Sequence, residues 1–160
     1  MRPPIVIALV SAETVRPLRW RVLRPGRPAE SAHFPEDEAL TTWHFAALLY
    51  GNDVVGVASY FLEGYPDLPA ICAYRLRGMA THPDYQRSMG IGRELLLKSL
   101  SFLYRRGVDL VWCYARLSAV PFYEKMHFSR WEAAGTIDIP DVGPHEVWYK
   151  YLLEHKERKT

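Results

Sequence analysis

Apolar positions along the chain fall into short blocks separated by proline, glycine and charge, and the blocks differ in period. Ile5-Val6-Ile7-Ala8-Leu9-Val10 is an unbroken apolar run and reads as a buried strand. Val15, Leu18 and Val22 recur at helical spacing and predict a helix from Val15 to Leu23. Thr14 is its expected cap, with Pro17 in the first turn, where a missing N–H costs little. Arg24-Pro25-Gly26-Arg27-Pro28 then breaks the chain. Trp43–Tyr50 and Val54–Leu62 predict two strands joined at Gly51-Asn52-Asp53, a hairpin signal. A turn at Gly64–Pro69 leads to a long strand, Ile71–Thr81, ended by His82-Pro83 because proline cannot donate to a ladder.

The period changes again at Ile91–Arg106. Leu96, Leu100 and Leu103 share a helical face, and Gly107 suits the left-handed stop. Val108–Tyr114 is near-continuously apolar, as a strand buried on both faces would be. A short helix is expected over Ser118–Met126, capped by Ser118, and a final strand pair over Phe128–Ala133 and Glu146–Leu152. The stretch between those strands, with Gly135, Pro140, Gly143 and Pro144, reads as a mobile or functional loop. The order defines an α+β fold with a mixed, mostly antiparallel sheet in one domain, residues 1–160, with a charged tail from Glu154.

Composition narrows the function classes. The 160 residues carry 49% hydrophobic and 24% charged side chains, the balance of a soluble globular domain. A net charge of +2 provides no broad basic field, so no nucleic-acid partner is expected. No apolar run approaches the roughly twenty residues of a membrane span, and the N-terminal run lacks a cleavage site, so a cytoplasmic protein is expected. Cys72 and Cys113 lie in apolar runs and read as buried thiols. The histidines and cysteines show no metal-ligand spacing, and no metal is expected.

The strongest chemical signal is Arg87-Ser88-Met89-Gly90-Ile91-Gly92, between a strand and a helix start. Unpaired N–H groups and the positive dipole end suit a pyrophosphate there. Gly90 and Gly92 permit close approach, and Arg87 and Arg93 add positive charge. Read alone, the glycines also fit a plain strand-to-helix turn. No lysine follows them as a P-loop requires, and the third glycine of a dinucleotide fingerprint is missing.

In context, Leu76–Gly92 resembles the central motif of the GNAT superfamily, in which an Arg/Gln-x-x-Gly-x-Gly/Ala turn opens a helix. Ala119-Val120-Pro121-Phe122-Tyr123-Glu124-Lys125-Met126-His127-Phe128 resembles the family's later Phe-Tyr-Glu-Lys motif. The resemblance covers most of the chain from Trp43 onward. It implies a three-layer fold whose central sheet splays at the acetyl-CoA site, between the Ile71–Thr81 strand and Val108–Tyr114. It implies N-acetyl transfer from acetyl-CoA to a primary amine of a small or amino-acid-like acceptor by direct attack. Backbone groups of Met79, Ala80 and Thr81 would pair with the pantetheine arm and polarise the thioester, and Arg87–Arg93 would hold the pyrophosphate. Tyr123 matches the tyrosine near the CoA sulfur that assists thiolate departure. Many members dimerise, which makes a homodimer an expectation of the resemblance.

The chain departs from the family pattern at several positions. The Thr81–Gly90 loop is one residue longer than the common pattern, so Gln86 and Arg87 compete for the first motif position. Arg116 stands where many members carry asparagine, and His127 replaces the usual glycine. Arg75 falls where some members carry a glutamate base. Glu63, Asp138 and His145 are the alternatives for that proton transfer, along with an ordered water chain, and His145 is the preferred side chain. Tyr123 has its own alternative, a core tyrosine beside Phe122. The missing glutamate also motivates a second reading, a non-catalytic acyl-CoA-binding regulatory module. Arg16, Arg19, Arg21, Arg24 and Arg27 read as a solvated face rather than an acceptor site. Trp20, Trp43, Tyr60, Tyr65 and Trp148 read mainly as core.

Overall fold

The computed structural model describes residues 4–86 and 89–153. Three α-helices occur among them: α1 (Ala12–Leu23), α2 (Ile91–Arg105) and α3 (Val120–Lys125). The strands are β1 (Ile5–Val10), β2 (Trp43–Leu49), β3 (Asp53–Leu62), β4 (Ala73–Thr81), β5 (Leu110–Arg116), β6 (Ser129–Arg130), β7 (Thr136–Ile139) and β8 (Gly143–Tyr151). They form an eight-stranded mixed sheet in the order β1-β2-β3-β4-β5-β8-β6, with β7 on β8. The β4–β5 pair is parallel, which places a helical crossover between these strands and agrees with the α+β expectation.

The chain divides into two units, one running to Leu62 and resuming over Leu76–Leu103, the other holding Glu63–Arg75 and the chain from Tyr104. In the first, β2 carries apolar residues on both faces. Ala46, with Val57 of β3 and Ala80 of β4, packs on Val15 and Leu18 of α1. Ala47 and Leu49, with Val55, pack on Ile91 of α2. Adjacent residues of a strand point to opposite faces, so the helices sandwich this part of the sheet. Gly56 is required by that packing: a Cβ there would lie 2.8 Å from the Ile91 side chain.

The helix expected from Val15 begins at Ala12, with Ser11 as its cap. Ser11 is extended (φ −80°, ψ 162°), and its side chain accepts from the Thr14 N–H at 3.2 Å. Thr14 is therefore inside the helix, and Pro17 sits past the first turn. The carbonyl that Pro17 leaves without a donor belongs to exposed Glu13, where water can satisfy it.

The second unit is built on the antiparallel β5–β8 ladder, which runs without a bulge from Leu110↔Tyr151 to Arg116↔His145. β5 is buried along most of its length, as its apolar run predicts. The stretch read as a mobile or functional loop forms a hairpin: Ile139 of β7 pairs with Gly143 of β8, across a turn with Asp141 at φ 64° and Gly143 at φ 111°. The β-branched Thr136, Ile137 and Ile139 make it a strand despite its flanking prolines and glycines. β6 is shorter than expected, and Ser118 caps nothing. Leu117–Ala119 is a 3-10 turn, and α3 starts at Val120 because Pro121 fits the first helical turn. His127 follows α3 at φ 65°, in the left-handed conformation.

Candidate active site

In the first unit, the phosphate-turn residues gather around one strand. Gly78 interrupts β4 with φ 65°, a conformation foreign to a regular strand, and a Cβ there would lie 2.9 Å from Arg19 Nε. Met79, Ala80 and Thr81 follow this interruption, with Ala80 buried and its neighbours half-buried. His82 N–H donates to the Val55 carbonyl at 2.8 Å, while Val55 packs on Ile91 and Met89. β3 thus ties the end of β4 to the start of α2.

Gly90 has φ 64°, and its carbonyl accepts the first helical bond from Glu94 N–H at 2.9 Å. Helical geometry leaves the amides of Ile91, Gly92 and Arg93 without partners within the helix, at its positive end. Gly90 and Arg93 are exposed, Gly92 is half-buried, and Ile91 is buried as the anchor of the turn. Arg87 and Ser88 lie outside the described residues. Gln86 donates from Nε2 to the Thr81 carbonyl at 3.0 Å, so it closes the end of β4. This set of amides and glycines fits a diphosphate, which needs converging N–H donors and no side-chain obstruction.

Behind β4 lies a polar cluster that the sequence did not reveal. Arg19, fully buried, donates from Nη1 to Asp37 Oδ2 at 2.8 Å and the Ala32 carbonyl at 2.7 Å, and from Nη2 to Ser59 Oγ at 2.9 Å. Its Cζ stands 3.9 Å from the Phe34 ring centroid. The reading of Arg19 as part of a solvated face is therefore corrected: it is the hub of the core beneath the Phe34–Thr42 segment. Burial pushes the Asp37 pKa up. The hydrogen bonds from Arg19 and the Phe34 N–H, with the charges of Arg19 and His44, outweigh this and hold it below the usual carboxylate value. Burial lowers the pKa of His44, whose Nδ1 is 2.6 Å from Ser59 Oγ. Asp37 sits in a polar stretch without periodicity, so no sequence signal marked it.

In the second unit, the regular β5–β8 register sorts the candidates onto two faces. Paired residues share a face, and alternation puts Cys113 opposite Trp112, Tyr114 and Arg116. Tyr123 is on the Cys113 side. It is buried, its ring 5.3 Å from those of Phe122 and Phe128, and its side chain hydrogen-bonds Cys113. Burial pushes the Cys113 thiol pKa up to about 12 despite that bond, so this cysteine is inert at neutral pH. Cys113 is buried as read, Cys72 only partly so, and both are free.

His145 is cross-strand from Arg116 and so lies on the opposite face from Tyr123. It is buried, and Nδ1 lies 2.8 Å from the Gly143 carbonyl. A neutral ring donating there carries its lone pair on Nε2. Arg75 of β4 shares this face, paired with Trp112. The β4–β5 ladder covers Ala73–Arg75 and Leu110–Trp112, while β4 runs on to Thr81 and β5 to Arg116. Of the expected aromatic core, Tyr60 and Trp148 are buried, whereas Trp20 is exposed. Among the described residues no cluster of His, Cys, Asp or Glu could hold a metal ion, and no helix is long and apolar enough to cross a membrane.

Comparison with known proteins agrees with this architecture. The model of the acetyltransferase (GNAT) family matches residues 12–128, and the chain belongs to that family. An uncharacterized N-acetyltransferase, YitI of Bacillus subtilis strain 168, is 35% identical over 146 residues, covering 91% of this chain and 95% of the relative. The structure of a GNAT-family acetyltransferase from Staphylococcus aureus Mu50 superposes with a TM-score of 0.70 at 17% identity, covering 94% of this chain and 100% of that one. An aminoglycoside 6'-N-acetyltransferase solved with coenzyme A gives 0.71 at 13% identity, covering 94% and 98%. The protein is an acyltransferase of a family whose co-substrate is acetyl-CoA.

Proposed function

We propose that this enzyme transfers the acetyl group of acetyl-CoA to a primary amine of a small or amino-acid-like acceptor, by direct attack and without an acyl-enzyme. The observation that carries the reading is the turn into α2. Gly90 in the left-handed conformation opens onto unpaired amides at a helix N-terminus, beside a strand interrupted at Gly78. The pyrophosphate is held by the amides of Met89 to Arg93, with Arg87 and Ser88 completing the motif. Backbone groups of Met79, Ala80 and Thr81 hold the pantetheine arm and stabilise negative charge on the thioester oxygen.

The amine nitrogen attacks the carbonyl carbon, the carbonyl π-electrons move to oxygen, and collapse breaks the C–S bond. An amine of pKa about 10 must lose a proton to attack, and Nε2 of His145 accepts it through water. The Tyr123 hydroxyl hydrogen-bonds the departing sulfur. Full proton transfer is not strongly driven, because a thiol titrates at about 8.5 and a phenol at about 10. His145 and Tyr123 lie on opposite faces of the unbroken β5–β8 ladder, so with Tyr123 at the sulfur the amine proton reaches His145 through ordered water.

Calorimetric titration with acetyl-CoA is the direct test. Wild type binds saturably, and Gly90→Asp, which sets a carboxylate against the phosphates, loses binding; unaltered binding in the variant removes the turn from the cofactor site. An amine panel read by CoA release then supplies rates. Tyr123→Phe lowers kcat by about 10- to 100-fold. His145→Gln lowers kcat/KM by about 10- to 100-fold with the acetyl-CoA Kd unchanged. An unchanged kcat/KM removes His145 as base, and unchanged turnover in Tyr123→Phe removes Tyr123 from the reaction.

A further inference from the structure

We infer that Arg75 is an anion anchor for the acceptor, and that the acceptor is therefore an amine that also carries a carboxylate; this rests on the acetyl-transfer reading above. A guanidinium has five N–H donors and no acceptor. Arg75 uses them poorly. Its side-chain contact with a carboxylate is Nη1 to Glu63 Oε1 at 3.5 Å, well beyond the usual length of a charge-assisted bond, and that glutamate side chain is 47% exposed. Such a contact contributes little and is readily displaced. The Nε of Arg75 is buried with no hydrogen-bond partner among the described residues. The side chain as a whole is 18% exposed, so most of its hydration has been removed while a ligand can still reach it.

The surroundings hold this cation in place without satisfying it. Its Cζ lies 4.8 Å from the Tyr114 ring centroid and 5.5 Å from that of Trp112. Trp112 is itself pinned: Nε1 donates to the Glu63 carbonyl at 2.8 Å, and the Tyr65 ring packs edge-on at 5.0 Å. The carboxylate of Asp109, at the start of the same strand pair, accepts from the amides of Ile71 and Cys72 at 2.9 and 2.8 Å, so it is already engaged. A planar, oriented fork of donors against aromatic walls matches a planar carboxylate bidentately. His145 is on the same face of β5 and β8, so anchor and proton acceptor serve one side of the sheet.

The test pairs α- and ω-amino acids with their primary amides, which keep the amine and lose the charge. Wild type favours the acid of the preferred pair by about 10- to 100-fold in kcat/KM. Arg75→Gln brings that ratio close to one and leaves the acetyl-CoA Kd unchanged, and Arg75→Lys restores part of the preference. Equal rates on acid and amide in wild type overturn the anchor and leave acetyl transfer standing. Absence of acetyl-CoA binding overturns the reading beneath it instead. Calorimetric titration of the N-acetylated acids and amides into CoA-saturated protein gives a readout independent of turnover. Acid binding lost in Arg75→Gln supports the anchor; acids that bind no better than amides overturn it.

Discussion

Arg19 and Arg75 are both arginines set against aromatic rings, and their surroundings are opposite. Arg19 is fully buried, and its terminal nitrogens reach a carboxylate, a carbonyl and a hydroxyl. Arg75 keeps some exposure and reaches one carboxylate at marginal distance. The first has its counter-ion inside the protein and serves the fold. The second has donors to spare and serves a ligand. Both leave Nε buried without a hydrogen-bond partner among the described residues, so the counter-ion separates them: Arg19 has a buried carboxylate at 2.8 Å, and Arg75 meets a half-exposed one at 3.5 Å.

The largest expected effect comes from breaking the satisfied pair. Asp37→Ala leaves Arg19 buried without its carboxylate and lowers stability by about 3–5 kcal/mol, read as the urea midpoint. The double variant Arg19→Met/Asp37→Leu costs less than the sum of the single changes, because no uncompensated charge remains. Additive costs would mean that the two residues are not a pair.

Acid gives a graded version of the same break. His44 has a lowered folded pKa, so below about pH 6.5 the unfolded chain takes up its proton while the folded protein resists. Stability is complete above that pH and declines as pH falls toward the lowered folded value. Asp37 also has a lowered folded pKa, and its contribution is present above about pH 4 and lost as pH falls through the folded value. The thermal midpoint therefore falls first below about pH 6.5, then again below about pH 4. His44→Gln flattens the first decline and leaves the second; an unchanged upper slope would remove His44 from it. The smallest effect belongs to the other arginine. Arg75→Met changes stability by less than about 1 kcal/mol, while acceptor selection changes as described above. A large loss of stability would make Arg75 structural after all.

Much of the architecture was legible. β1, the β2–β3 hairpin, α2 and β5 were readable because uninterrupted apolar runs and helical spacing are local signals with little competition. The start of α1 was missed because Ser11 and Thr14 are both good caps, and only backbone conformation chooses between them. The β7–β8 hairpin was hidden under Gly135, Pro140, Gly143 and Pro144, which mark its ends and turn and resemble loop composition. The phosphate turn was legible as a motif, whereas the faces of Tyr123 and His145 required the β5–β8 register.

The sequence by itself determined the family, the order of elements as far as α3 and the turn at Gly90, because glycine spacing and hydrophobic period act over a few neighbouring residues. It did not distinguish one arginine from another. Arg19 meets Asp37 and Ser59 only after α1 docks on β3, and Arg75 meets Trp112 and Tyr114 only when β4 pairs with β5. Whether a charge is paired depends on partners far away in sequence, so the tertiary structure alone decided which arginine has a buried counter-ion and which meets one only at marginal distance.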